Sequence, residues 1–189
     1  MANELEGHKI AFVVANEGVE QIELTTPWQA VLDAGGTPEL LAPEKGDVQA
    51  FNHLDRGDVF PVDRAVGEAN PEDYDGVMLP GGVANPDELR TVPAAVQFVQ
   101  SMFEAGKPAA VICHGPWTLV EGDLVQGRTL TSWPSLQTDI RNAGGNWVDE
   151  EVHVCPDGPN TLVTSRQPDD LPAFCTEMLR AFQSKLQNA

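Results

Sequence analysis

An α/β fold, a mostly parallel sheet enclosed between helices, is what this sequence predicts, and three observations carry the prediction. The stretches KIAFVVAN (9–16), DGVMLP (75–80) and AAVIC (109–113) are short, apolar and almost free of charge, so both flanks of each need cover. Runs with helical spacing of apolar residues, Glu20 to Ala34 and Thr91 to Ala105, alternate with the strands. Glycine closes both runs, at Gly35-Gly36 and at Gly106.

Taken in order, the first strand feeds a helix spaced through Ile22, Trp28, Val31 and Leu32, which Pro27 either kinks or forces to begin afresh. Thr37 to Ala42 reads as a short strand. The polar region from Pro43 to Val62 suggests loops with a hairpin, and Asp75 to Pro80 is a strand entering a double glycine. The helix from Thr91 to Ala105 carries Val92, Ala95, Val96, Val99, Met102 and Phe103 on one face, and AAVIC then runs directly into a helix begun by HGPWTLV. Gly127 to Trp133 reads as irregular chain or a short strand, and Ser135 to Asn142 as a helix. EEVHV and TLVTS read as strands on either side of the turn CPDGPN. Asp170 is placed to cap a last helix, Leu171 to about Leu186, with Phe174, Met178, Leu179 and Phe182 inward.

At 189 residues the chain is expected to form one domain, 1–189, with no repeat and no low-complexity tract. A formal charge of −18 repels phosphates and anionic membranes, so neither nucleic acid nor a membrane is an expected partner. No apolar run reaches the length of a membrane span, and MANELEGHKI has neither a basic nor an apolar leader segment, which points to a cytoplasmic address. Cys113, Cys155 and Cys175 are odd in number and widely spaced, and read as reduced thiols. His8, His53 and His153 share no metal-ligand spacing, and no phosphate-binding or nucleotide-binding glycine loop occurs, so no metal and no cofactor is expected.

Chemistry concentrates where strands end. Cys113 stands at a sharp strand-to-helix turn, where a helix N-terminus is expected to lower its pKa and supply thiolate. His114 could act as a base or offer its backbone N–H to a developing oxyanion. Gly81 and Gly82 in LPGG end a neighbouring strand and let backbone N–H groups approach a ligand. Glu17, directly after the first strand, is the acid expected beside the sulfur, protonated there and donating to it. Glu20 and Glu23 read as solvated carboxylates, and Cys155 and Cys175 as filler.

FVVANEGVEQIEL, DGVMLPGG, GKPAAVICHGP, GRTLTSWPSLQTDIRNAGGNWVDEEV and LVTSRQPDDLPAF span nearly the whole chain, and in this order they resemble the DJ-1/PfpI superfamily, in particular its PfpI-like peptidase and stress-protein branch. The resemblance implies a flavodoxin-like three-layer sandwich of the class I glutamine amidotransferase type with Cys113 at a nucleophile elbow. It implies His114 as the following histidine, Glu17 as the acid after the first strand, and Gly82 as a backbone donor. Asp87 in VANPDELR falls where members of that branch carry a Glu that reaches the histidine across an oligomer interface; Asp is the shorter side chain. A homodimer or hexamer is implied as well. Ammonia transfer is not, because His153, the only late histidine, lies outside the amidotransferase pattern.

Three functions follow as expectations. The first is a stress-protective, cofactor-independent cysteine enzyme acting on small reactive carbonyls or glycated adducts. A PfpI-like peptidase and a redox-sensing stress protein or chaperone oxidised at Cys113 are the alternatives.

Overall fold

The computed structural model of the protein describes residues 3–184. Strands β1 (Lys9–Val13) and β2 (Glu17–Glu20) precede helix α1 (Gln21–Asp33); β3 (Thr37–Ala42), β4 (Asp47–Asn52), β5 (Asp55–Pro61), β6 (Arg64–Ala65) and β7 (Gly76–Leu79) follow. Helices α2 (Ala84–Leu89) and α3 (Pro93–Glu104) lead to β8 (Ala109–Ile112) and α4 (Pro116–Glu121). Then come β9 (Thr129–Leu130), α5 (Gln137–Asn142), β10 (Asn146–Trp147), β11 (Val152–Cys155), β12 (Leu162–Ser165) and α6 (Leu171–Gln183).

The main sheet has the order β11-β12-β8-β7-β1-β3-β6 and is parallel except for β11, which pairs antiparallel with β12. Side-chain alternation along each strand assigns the layers. Ala11, Val13, Val77, Leu79 and Val111 pack with Phe98, Val99 and Met102 of α3 on one side. Ile10, Phe12, Met78, Ala110 and Ile112 pack with Leu24 and Val31 of α1 and Phe174, Met178 and Phe182 of α6 on the other. The result is a three-layer α/β sandwich. Gly76 lets α6 close on the sheet, since a Cβ there would lie 2.6 Å from Phe182 Cδ1.

Several expectations shift in detail. The inward stripe of α1 is Glu23, Leu24, Pro27 and Val31, while Ile22 and Leu32 are exposed. Pro27 sits inside one continuous helix. The hairpin expected between 43 and 62 is β4–β5, and β2 joins it in a separate three-stranded sheet. Helix α2 had no counterpart in the sequence reading, and a single 3₁₀ turn, Pro134–Leu136, precedes α5. Asp170 occupies the N-cap position of α6 without capping it by its side chain; its carboxylate instead accepts from Arg166 N at 3.0 Å and Nε at 2.9 Å. The expected end of that helix near Leu186 lies outside the described residues.

Parallel β1, β7 and β8 bring their carboxyl ends to one edge of the sheet. The chain leaves that edge at 14–20, 80–84 and 113–116, and these three crossings build the site.

Candidate active site

Cys113 follows β8 with φ +63°, in the left-handed region that costs a side-chain-bearing residue about 1–2 kcal/mol. Three backbone hydrogen bonds hold it there: Cys113 N donates to Ser165 O at 3.0 Å, Trp133 N donates to Cys113 O at 2.9 Å, and Gly115 N donates to Ile112 O at 2.9 Å. The turn closes because residue 115 has no side chain; a Cβ there would lie 2.8 Å from Val111 Cγ1 and 2.9 Å from Leu79 O. Pro116 then starts α4 at a position where no N–H is needed.

The acid beside the sulfur is Glu23. In phase with Pro27 and Val31 on the inward face of α1, it is 0% exposed, and its Oε2 accepts from Gly81 N at 2.7 Å. Its Oε1 is buried with no conventional hydrogen-bond partner among the described residues, and the carboxyl interacts directly with the Cys113 side chain. Gly81 separates the two: a Cβ on it would stand 2.5 Å from Glu23 Oε2 and 2.6 Å from Cys113 Cβ. Asn85, buried on α2, shapes this turn by donating to Pro80 O at 3.1 Å and Gly81 O at 3.0 Å while accepting from Ala15 N at 2.7 Å.

His114 Nδ1 lies 3.2 Å from Cys113 Sγ, so the adjacent residues of this turn do meet. The imidazole is buried against two indoles, stacked on Trp133 with centroids 5.6 Å apart and edge-on to Trp117 at 5.2 Å. Trp117 is itself fixed by donation from Nε1 to Asp139 at 2.9 Å.

Burial dominates the electrostatics. It raises the Glu23 carboxyl to about 8 against the help of Gly81 N–H, so this acid is protonated at neutral pH. Burial also lowers His114 to about 4 and keeps the imidazole neutral. The Cys113 thiol is pushed up, first by burial and then by the neighbouring Glu23, while backbone N–H groups of Gly82 and His114 pull it back down. This corrects the expectation of a lowered thiol pKa. Cys113 is 6% exposed, and desolvation outweighs the few donors at the start of the six-residue α4.

The other expected residues fall as follows. Glu17 does not reach the sulfur as its partner: its side chain is 54% exposed and pairs with Arg56 at 3.4 Å, because β2 turns it toward the hairpin sheet. Glu23, read from sequence as solvated, takes that place. Gly81 N–H is committed to Glu23, which leaves Gly82, at φ +83°, and His114 as the backbone donors at the sulfur. Asp87 is exposed on α2, makes no hydrogen bond or ion pair among the described residues, and does not line the cavity. Cys155 contacts Arg128 Nε at 3.4 Å, away from this edge. Among the described residues no group of three or more His, Cys, Asp or Glu side chains is placed to share a metal ion.

A cavity of ≈ 570 Å³ opens over Cys113, His114 and Glu23. Glu17, Glu20, Gly82, Val83 and Trp133 border it, and Phe51, His53 and Leu54 from the hairpin turn form its far wall. The Glu20 carboxylate fixes that turn by accepting from His53 N at 3.1 Å. Sequence reading missed Glu20, Asn85 and His53 because hairpin and α2 contacts bring them here; Glu23 alone left a signal, its helical phase with Pro27 and Val31.

The DJ-1/PfpI family profile matches residues 8–181. General stress protein 18 of Bacillus subtilis is 39% identical over 92% of this chain and 96% of its own length. Deglycase PH1704 of Pyrococcus horikoshii is 38% identical over 91% of this chain and 98% of its own. Among solved structures, a two-domain protein from Anabaena variabilis with DJ-1/ThiJ/PfpI-like and ferritin-like domains superposes with a TM-score of 0.83 at 34% identity; the match covers 95% of this chain and 48% of that one.

Proposed function

This chain belongs to the DJ-1/PfpI family, and from that premise we propose that it is a stress-protective, cofactor-independent cysteine enzyme acting on small reactive carbonyls and their glycated adducts. The observation that carries the reading is the meeting, under one cavity, of Cys113 Sγ with a neutral imidazole at 3.2 Å, a protonated Glu23 and two backbone N–H donors.

For a 1,2-dicarbonyl such as methylglyoxal the steps balance without an outside oxidant or reductant. The thiol proton passes to His114 Nδ1 as sulfur bonds to the aldehyde carbon, and the carbonyl oxygen takes a proton from Glu23. The hydrogen of that carbon then moves as a proton to the adjacent carbonyl carbon through an enediol, giving a thioester and an alcohol. Water cleaves the C–S bond, releasing a 2-hydroxy acid and restoring the thiol. With an amine adduct, the C–N bond breaks as the amine leaves and sulfur takes its place. Gly82 and His114 N–H would bear the charge that develops on oxygen.

A redox role is a second reading, favoured by one observation: a protonated Glu23 against Sγ could donate to a cysteine sulfinate. The peptidase reading gains less, since Asp87 does not line the cavity within one chain and the hairpin turn walls off its far side. Assembly as a dimer or hexamer and a cytoplasmic address remain part of the proposal; among the described residues no helix is long and apolar enough to cross a membrane.

Purified protein and its Cys113→Ser variant, assayed with methylglyoxal, a glycated peptide and a fluorogenic peptide, test this. Turnover of the first two, lost at least a hundredfold in the variant while the fold is kept, is the expected result. Undiminished turnover in the variant removes the nucleophile. No turnover in either, with selective Cys113 oxidation by peroxide seen by mass spectrometry, transfers the site to the redox reading.

A further inference from the structure

Charge is distributed unevenly around the cavity. Two carboxylates, Glu17 and Glu20, border its mouth, and no Lys or Arg lines it among the described residues. Arg56 pairs with Glu17 at 3.4 Å from outside the lining, leaving Glu20 without a cationic partner among the described residues, where its carboxylate is held by the backbone N–H of His53. Burial keeps His114 neutral, so the imidazole adds no positive charge at the floor. Glu23, protonated beneath the cavity, adds no positive charge either; its Oε1 is buried beside the thiol with no conventional hydrogen-bond partner among the described residues. Phe51 and Trp133 give the walls aromatic surface, which attracts ammonium and guanidinium groups. Around all of this lies a chain of charge −18, whose field focuses into a cleft lined by the same sign.

We infer that this cavity selects cationic carbonyl adducts, those formed on guanidinium- or ammonium-bearing amines, over anionic ones such as phosphate-bearing nucleotide adducts. The inference rests on the reading of Cys113 as the reacting group. It deepens that reading, because the reactive carbonyl is common to all such adducts and the charge of the carrier is what the mouth distinguishes.

Methanethiosulfonate reagents bearing an ammonium, no charge or a sulfonate test the electrostatics without turnover. In each, the cysteine sulfur forms an S–S bond, methanesulfinate leaves and the thiol proton goes to the buffer. Rates at Cys113, localised by peptide mass mapping at low ionic strength, are compared with those of N-acetylcysteine amide. The cation-to-anion rate ratio should exceed that of the free thiol at least about tenfold and shrink as salt screens the mouth. Glu17→Gln should lower it and Arg56→Gln raise it, both side chains being exposed. A ratio at or below that of the free thiol, or two variants moving it the same way, overturns the inference. So does a Cys113 that even the uncharged reagent fails to reach. Methylglyoxal turnover measured in parallel separates the two readings: turnover without a charge ratio sinks only the selectivity, and a charge ratio without turnover sinks only the substrate assignment. If both hold, Glu17→Gln should lower kcat/KM several-fold for the methylglyoxal adduct of N-acetylarginine amide and raise it for that of guanosine monophosphate.

Discussion

Glu23 and Cys113 hold their protons in a space that offers one backbone N–H to the acid and two to the sulfur. Folding therefore raises the carboxyl from its ordinary 4.5 to about 8. A raised folded-state pKa contributes stability that is complete below 4.5 and drains away as pH climbs to about 8, at roughly 1.4 kcal/mol per pH unit. Glu23→Gln, which cannot ionise, should escape that loss. Urea denaturation at pH 5 and pH 8 should show the variant gaining on the parent by several kcal/mol between the two, and parallel curves would refute a buried protonated acid. The same pair sets the rate profile. With His114 lowered to about 4 and Glu23 raised to about 8, kcat/KM for methylglyoxal should stay level between those values, with no inflection near the ordinary histidine value of 6.5, and fall above about pH 8 as Glu23 loses the proton it donates.

At the scale of elements, the site depends on close approach of backbone. A Cβ at 115 meets Val111 Cγ1 and the carbonyl oxygens of Ile112 and Leu79, all within 3.0 Å, so Gly115→Ala must open the turn that holds Cys113 at positive φ. Turnover should fall at least a hundredfold, with a smaller loss in thermal midpoint; a fully active variant would mean the turn is not strained. Asn85 ties α2 and the β7 turn to the segment after β1. Asn85→Ala leaves Ala15 N–H buried and unpaired and should cost about 1–3 kcal/mol in chemical denaturation. Strands β1, β3, β7, β8, β11 and β12 and the amphipathic face of α3 were legible in sequence because one pattern of apolar spacing decides them, whereas β2, β6 and β10, two to four residues long, carry too few side chains to show one. Helix α2 was not, since ANPDEL is six residues long and buries only Asn85, Pro86 and Leu89, too little for a period to show.

Over the whole molecule, 29 acidic residues stand against 11 basic ones, and the compact state bears their mutual repulsion. Raising sodium chloride from 10 to 300 mM, which shortens screening from about 30 Å to under 10 Å, should raise the thermal midpoint by several degrees; an unchanged midpoint would show the charge to be too dispersed to matter. The order of apolar strands and glycine-stopped helices determined the layered α/β sheet, the edge at which Cys113 emerges and His114 beside it. Those are local matters, since a buried parallel strand needs an unbroken apolar run and a strand that ends in Cys-His-Gly-Pro must turn there. Which acid meets the sulfur was decided only by tertiary structure. Glu17, Glu20 and Glu23 lie within seven residues of one another, and their chemistry is identical until packing buries Glu23 under Gly81, turns Glu17 to Arg56 and gives Glu20 to the hairpin. Desolvation, which sets the charge of each group, comes from the layers above it and is not written in the residue.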